Sequence, residues 1–137
     1  EVTSASMEAG EQKVRFIGDA KVIIDGSWLH AGEVIVYLDE NNETLKYEAT
    51  GLVRFEIKND EYSFKGRANT VIYDKWRALY VLRGMAMIDS SDFLGKRKIK
   101  GDEIIVDEIT GKMNVKGGPI DSKFFIKLHD FKRAFGF

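Results

Sequence analysis

The chain has 137 residues and a mass of 15.6 kDa, the size of one domain with a substantial core. Its 21 lysines and arginines balance 22 aspartates and glutamates to a net charge of -1, which excludes nucleic-acid binding through bulk positive charge. Apolar residues make up 44% and charged residues 31%, a composition that excludes intrinsic disorder.

Cysteine is absent, which removes disulfides, thiolate metal sites and cysteine nucleophiles together. The two histidines, His30 and His129, lie far apart without a motif, so we expect no metal and no cofactor. No apolar run is long enough to span a bilayer as a helix. The sequence opens at Glu1 without a signal-peptide pattern, so we expect an export signal to have been removed or never to have existed.

The first segment, residues 1–13, precedes the regular pattern, and the sequence leaves its order open. From Val14 to Val115 apolar and polar residues alternate, which is the period of a half-buried strand, and Val53-Arg-Phe55-Glu-Ile57 is the clearest case. Turn-forming residues such as Asp25-Gly26 separate the runs. Short strands with turns at intervals of roughly 8–12 residues predict an all-β sandwich or roll.

A repeat of 33 residues runs through this region and is marked by Gly18, Gly51, Gly84 and Gly117. After the first three glycines the alternation resumes in the same phase, so one face of each strand carries through. A glycine inside a continuing strand marks a bend or a bulge. We therefore predict a domain over residues 14–120 built from repeated antiparallel strand pairs that are kinked at one level.

One set of alternating side chains, opposite to the charged positions, is predicted to point inward. It comprises Phe16, Val22, Ile24, Val34, Val36, Tyr47, Val53, Phe55, Val71, Tyr73, Tyr80, Leu82, Ile88, Ile104, Val106, Met113 and Val115. Between two sheets these residues form an apolar slot, in which acyl chains gain about 0.8 kcal/mol per buried CH₂. The alternative, which the residues alone favour, is an ordinary core filled by its own side chains.

One concentrated basic run interrupts the mixed surface charge and consists of Lys96, Arg97, Lys98 and Lys100. These cations are candidates for binding the phosphates of a lipid headgroup. The commoner explanation of such a run is a solvated loop that leads into a strand. Enzyme motifs are missing, and neighbouring carboxylates such as Asp102-Glu103 and Asp107-Glu108 point to opposite faces of a strand, so we expect no catalytic residues.

The tail, residues 121–137, departs from the repeat. A helical stripe and a strand-like alternation both fit it, the first at Phe124, Leu128, Phe131 and Phe135, the second at Phe124, Ile126 and Leu128. Its basic residues are Lys123, Lys127, Lys132 and Arg133. A short C-terminal helix or a last strand therefore remain alternatives. The predicted open edges of the sheet are the strands near Val14–Ile17 and Met113–Lys116, where strand addition builds head-to-tail oligomers.

Several stretches resemble the LptA/OstA-like family of periplasmic lipopolysaccharide (LPS) transport proteins. They are Gly18-Asp-Ala-Lys-Val22, Gly84-Met-Ala-Met-Ile88, the run from Gly66 to Asp74 that continues at Ala78 to Gly84, and the run from Lys100 to Asp107 with Gly111 to Val115. The resemblance covers about residues 14–117 and implies an open, twisted β-jellyroll whose interior shelters the acyl chains of LPS.

The resemblance also implies a non-catalytic, periplasmic bridge protein that carries LPS from the inner to the outer membrane. Its implied partners are inner-membrane LptC-like and outer-membrane LptD-like proteins, which join by strand addition. Three alternatives stay open: the soluble part of an LptC-like adaptor, the N-terminal domain of the outer-membrane LPS-assembly protein, and a structural β interaction domain without a ligand.

Overall fold

The computed structural model describes residues 2–24, 26–58, 63–92, 95–107, 109, 112–117 and 122–125. These residues form ten strands: β1 (Val2–Thr3), β2 (Ser6–Gly10), β3 (Lys13–Ile24), β4 (Ser27–Leu38), β5 (Thr44–Lys58), β6 (Ser63–Asp74), β7 (Leu79–Asp92), β8 (Gly95–Asp107), β9 (Lys112–Lys116) and β10 (Ser122–Phe125). In this part of the chain there is no helix of the length and hydropathy that a membrane span requires. The predicted all-β class is confirmed.

The strands form one antiparallel sheet in chain order, from β3 through β10. The outer side of β3 pairs with both β1 and β2, which lie one after the other along it: Val2 pairs with Val22, and Met7 with Phe16. The segment 1–13, which the sequence pattern sets apart from the repeated domain, thus contributes two strands to the same sheet.

The predicted edges are wrong by one strand at each end. Val14–Ile17 lies inside β3 and is covered by β2, while Met113–Val115 in β9 is covered by β10. The prediction took the limits of the repeat as the limits of the sheet. Short strands beyond a repeat can still pair with it, because a ladder needs only free backbone groups on the neighbouring strand.

The strands β3, β5 and β7 bend at the repeat-marking glycines. In β5 the backbone has positive φ at two successive residues, Gly51 (83°) and Leu52 (52°), and the register with β6 shifts between Thr50 and Val53. A Cβ added to Gly51 would lie 3.1 Å from the Cα of Gly32, so the position needs glycine for space as well as for φ. Buried Ala49, Val53 and Phe55 share one face across the bend, which confirms that the alternation keeps its phase.

The bends turn the two halves of the sheet towards each other. Phe64 and Ile88 lie in the half of the sheet that contains residues 53–58 of β5, which we call the half beyond the bend. Ile104 and Met113 lie in the half that contains residues 44–50 of β5. All four nevertheless belong to one buried cluster. Small residues follow the bend across the sheet on its inner face: Ala20, Ala31, Ala68 and Ala86, all buried. Where two halves of a sheet meet at a sharp angle, only short side chains fit between them. The result is the predicted open jellyroll.

The tail begins as a strand, since Ser122–Phe125 forms β10 and pairs with β9. For these four residues the helical alternative is wrong and the last-strand alternative is right. Phe124 fits both the helical and the strand period. The strand forms because the edge of β9 offers backbone hydrogen-bonding partners. The rest of the predicted stripe, Leu128, Phe131 and Phe135, lies outside the described residues, as do Lys127, Lys132 and Arg133.

Candidate functional site

The interior is densely filled on the side of the C-terminal strands. Leu82 from β7, Ile104 and Val106 from β8, and Met113 and Val115 from β9 are each at most 4% exposed. They form one cluster with Phe55, Phe64 and Ile88 from the facing half of the sheet. On this side the inner face is therefore covered by the protein's own side chains.

The same inner face is accessible on the side of the N-terminal strands. Met7 of β2 pairs with Phe16 of β3 and shares its face, and Met7 is 61% exposed. In the other half of the sheet Val2, paired with Val22, is 41% exposed. Exposure of inward-facing apolar residues thus increases towards β1 and β2 in both halves. The jellyroll is closed at β9 and open at its N-terminal edge.

Three tyrosines form a ladder across the inner face at the ends of β5, β6 and β7. The ring centroids of Tyr47 and Tyr73 are 6.3 Å apart, and those of Tyr73 and Tyr80 are 4.4 Å apart with nearly parallel planes. Tyr80 pairs with buried Val106, whereas Tyr47 pairs with partly buried Val36 and is itself 41% exposed. The ladder therefore leads from the filled core to the accessible part of the interior.

The predicted inward set separates into three groups. Buried members are Val34, Val53, Phe55, Leu82, Ile88, Ile104, Val106, Met113 and Val115. Partly buried members are Phe16, Val22, Val36, Val71, Tyr73 and Tyr80, and Tyr47 is exposed. The side chain of Ile24 lies outside the described residues. The partly buried and exposed members, which cluster in β3 to β7, are the residues that a lipid could reach.

Sequence reasoning missed Phe64 and the alanines at the bend. Phe64 is buried in the larger cluster, and the run Phe64-Lys-Gly66-Arg-Ala68 alternates as clearly as Val53-Arg-Phe55-Glu-Ile57. The alanines gave a weaker signal because alanine is common on both faces of a sheet. Their role is evident only in the fold, where these short side chains line the inner face next to the bend.

The four headgroup candidates do not converge on one point. They lie within β8, so the solvated-loop explanation is wrong: Lys96, Lys98 and Lys100 pair in register with Ser91, Asp89 and Met87 of β7. Lys98 Nζ is 3.9 Å from Asp89 Oδ1, which neutralises one of the cations. Lys96 and Lys100 are exposed on the outer face, and the side chain of Arg97 lies outside the described residues.

Charged side chains near the tyrosine ladder, on the outer face, are engaged with one another. Arg15 Nε donates a hydrogen bond to Glu33 at 2.6 Å, and this bond together with the charge of Glu33 raises the pKa of Arg15. Burial first, and then the carboxylate of Glu48, raise the pKa of Tyr37. The carboxylate of Glu103 accepts from Arg83 at 3.0 Å. These charged groups are thus paired with one another on the outer face, away from the apolar inner face.

Among the described residues no group of three or more His, Cys, Asp and Glu could hold a metal ion. His30 lies on the outer face of β4, where it pairs with Lys21 and Arg54, and its Nε2 is 3.7 Å from Asp19 Oδ1. What the site offers is therefore an apolar, aromatic-lined surface open to solvent at one edge, which suits a hydrophobic ligand.

The fold is shared with a known protein. The chain is similar to the crystal structure of LptH from Pseudomonas aeruginosa, described as the LptA-homologous periplasmic component of the conserved LPS transport device. The match has a TM-score of 0.69 and 18% identity, and it covers 92% of this chain and 94% of LptH. At this identity the likeness establishes the jellyroll architecture. No curated protein sequence matches the chain.

The structural likeness establishes only the fold, whereas a family model identifies the family. Residues 1–112 match the model described as LptA/(LptD N-terminal domain) LPS transport protein. The match spans most of the chain, includes β1 and β2 as well as the repeats, and confirms the resemblance carried by the glycine-marked strands. The chain belongs to the family of LPS transport proteins formed by LptA and the N-terminal domain of LptD.

Proposed function

We propose that this protein is a periplasmic component of the bridge that carries LPS from the inner to the outer membrane. The LPS acyl chains occupy the open, N-terminal part of the interior. The observation that carries this proposal is the exposure of inward-facing apolar residues on that side of the sheet, above all Met7 in the edge strand β2 and Tyr47 in β5. A ligand-free interaction domain would gain stability by closing this face, because exposed apolar surface has a free-energy cost.

The energetics favour a hydrocarbon ligand here. Each CH₂ group that leaves water gains about 0.8 kcal/mol, so several acyl chains need only part of the accessible face. Phe16, Val36 and Tyr73 are partly buried and can cover such chains without rearrangement of the filled core. LPS enters at the N-terminal edge in this proposal, and the cluster around Ile104 and Met113 is the floor of the site.

The sheet edges are the proposed sites of assembly. All five residues of β2 are exposed, and in the described part of the chain this strand pairs only with β3. A strand from an LptC-like or LptD-like partner, or from a second copy, can extend the sheet beyond β2 or β10. Such an extension would continue the apolar inner face from one protein into the next, which a path for acyl chains requires.

Site-specific photo-crosslinking tests the lipid site. A photoreactive residue at Tyr47 is expected to label purified LPS, because this position is inward and 41% exposed. The matched control is the neighbouring Lys46, which lies on the opposite face of β5 at similar exposure and pairs with Asp74 across the sheet. Equal labelling at both positions, or labelling at neither, would overturn the proposal. Phe55 is unsuitable for this experiment since its side chain is buried.

A further inference from the structure

A row of cations crosses the outer face of the sheet beyond the bend. One residue from each of the strands β3 to β8 lies in register with its neighbour on the next strand. In order these residues are Lys21, His30, Arg54, Arg67, Met87 and Lys100. We call Lys21, Arg54, Arg67 and Lys100 the basic row. All four side chains are exposed. Each residue lies next to an inward-facing residue in its own strand, such as Ala20, Val53 or Ala68, so the row lies on the outer face. The row extends over six strands, about 24 Å at the usual strand spacing.

The basic row is not neutralised by the protein. Among the residues that the structure describes, none of its four members forms an ion pair, and Asp19 Oδ1 lies 3.7 Å from His30 Nε2. The next row outward contains acids, but Glu56 is 3.4 Å from Lys65 and Asp89 is 3.9 Å from Lys98. Those acids are already paired with cations of their own row.

The outer face on the other side of the bend shows the contrast. There four of the described cations have acidic partners: Arg15 with Glu33, Lys46 with Glu48, Arg77 with Asp74, and Arg83 with Glu103. These four cations of the basic row lie in one line, whereas Lys75, Lys96 and Lys116, which also form no ion pair among the described residues, lie outside this row. Like charges directly opposite each other in a sheet are destabilising, as Arg54 and Arg67 are here. The row therefore has a cost to the fold that an external anion would remove.

Exposed apolar side chains flank one end of the basic row. Ile23 and Trp28 pair across β3 and β4 next to Lys21 and His30, and they are 44% and 39% exposed. Together with Leu29 these residues line a shallow pocket of about 320 Å³. A tryptophan beside cations is the combination that proteins place at the boundary between lipid headgroups and water.

We propose that the basic row, with Trp28 and Ile23, docks this face of the protein on the anionic phospholipid headgroups of a membrane surface. A line of four cations on a sheet face matches an array of phosphates better than a single one. The row lies on the opposite face of the sheet from the interior, so a lipid held inside does not occupy it. The inference is independent of the proposed acyl-chain site and goes beyond it.

Vesicle binding tests this inference. The full chain is mixed with vesicles of equal parts phosphatidylglycerol and phosphatidylcholine at an ionic strength of about 0.1 M. We expect binding that Arg54→Gln/Arg67→Gln weakens about 25-fold, which is about fivefold for each charge removed. Arg54→Lys/Arg67→Lys keeps the charges and should bind like the wild type. The matched control, Lys46→Gln/Arg77→Gln, removes two charges on the other side of the bend and should change binding less than about twofold.

Three outcomes would overturn the inference. They are no binding of the wild type, equal loss in the basic-row and control variants, and displacement by inorganic phosphate beyond the effect of chloride at the same ionic strength. The last would reveal a discrete phosphate site instead of a membrane-docking face. Trp28 gives a second readout: in Trp76→Phe, which leaves Trp28 as the only tryptophan, its emission should shift to the blue on anionic vesicles and stay unchanged on pure phosphatidylcholine.

Discussion

At Gly66 the inner face has no room for a side chain, because the ring of Phe55 lies directly over it; a Cβ there would overlap the ring. Phe55 pairs with Gly66 across β5 and β6 and is buried in the larger cluster. We expect Gly66→Ala to lower the free energy of unfolding by about 1–3 kcal/mol, since the ring must move within a packed core. Urea or thermal unfolding measures this change.

Gly10 provides the matched control for that substitution. It also lies in a strand, and a Cβ added there would meet nothing within 4 Å. Gly10→Ala should therefore change the free energy of unfolding by less than about 0.5 kcal/mol. Equal midpoints for Gly66→Ala and the wild type would contradict the packing of Phe55 on Gly66.

Single residues differ in how far the sequence predicts their position. Period-two alternation predicted that Leu82 and Ile104 point inward, and both are buried, because a strand with one buried face leaves its own signature. It also placed Tyr47 on the inner face but could not predict its exposure, which depends on how far the facing half of the sheet extends. Exposure at an edge is a tertiary property, and it separates a lipid-accessible residue from a core residue.

The strands β1, β2 and β10 show what limits prediction for whole elements. The run Ser6-Met-Glu-Ala-Gly10 has little β propensity, yet it pairs along five residues with β3. Its structure comes from the free edge of a long neighbour and not from its own side chains. The long strands that the glycines mark were predictable because each carries both an alternating pattern and its own bend. Terminal strands have neither, and they form the edges at which we propose that the protein assembles.

A substitution in β2 tests whether the apolar inner face continues from one protein into the next at this edge. Met7→Lys places a charge on the inner face of the outermost strand, where Met7 is largely exposed in the isolated protein. We expect the fold to persist and head-to-tail association to be lost, because the junction would bury an unpaired charge. Light scattering over a concentration series measures the association.

Ser6→Lys is the control for this experiment because it adds the same charge on the outer face of β2. Ser6 pairs with Ile17, which lies on the opposite face from Phe16, and its side chain is exposed. This variant should associate like the wild type. A wild type that stays monomeric at high concentration, or a Met7→Lys variant that associates as strongly, would count against assembly through this edge.

At the scale of the whole molecule, the two faces of the sheet have different chemistry. The inner face is apolar and changes from filled near β9 to open near β2, while the outer face is polar and carries the basic row beyond the bend. One sheet can thus separate two lipid contacts, acyl chains inside and headgroups outside. The division follows from strand alternation, because each residue along a strand faces the other side from its neighbour.

Thermal unfolding of the loaded protein tests the interior separately from the outer face. A ligand that binds only the folded state at 100 times its Kd adds about 2.7 kcal/mol of stability, so saturating LPS should raise the Tm by roughly 10 °C. The saccharide-phosphate part of the same LPS, freed of acyl chains, should raise the Tm far less, because the inner face is mainly apolar. The Arg54→Gln/Arg67→Gln variant should keep the full increase, since these residues lie on the other face. An equal increase in Tm from the deacylated saccharide would indicate that LPS binds at the charged surface, and it would contradict acyl-chain binding in the interior.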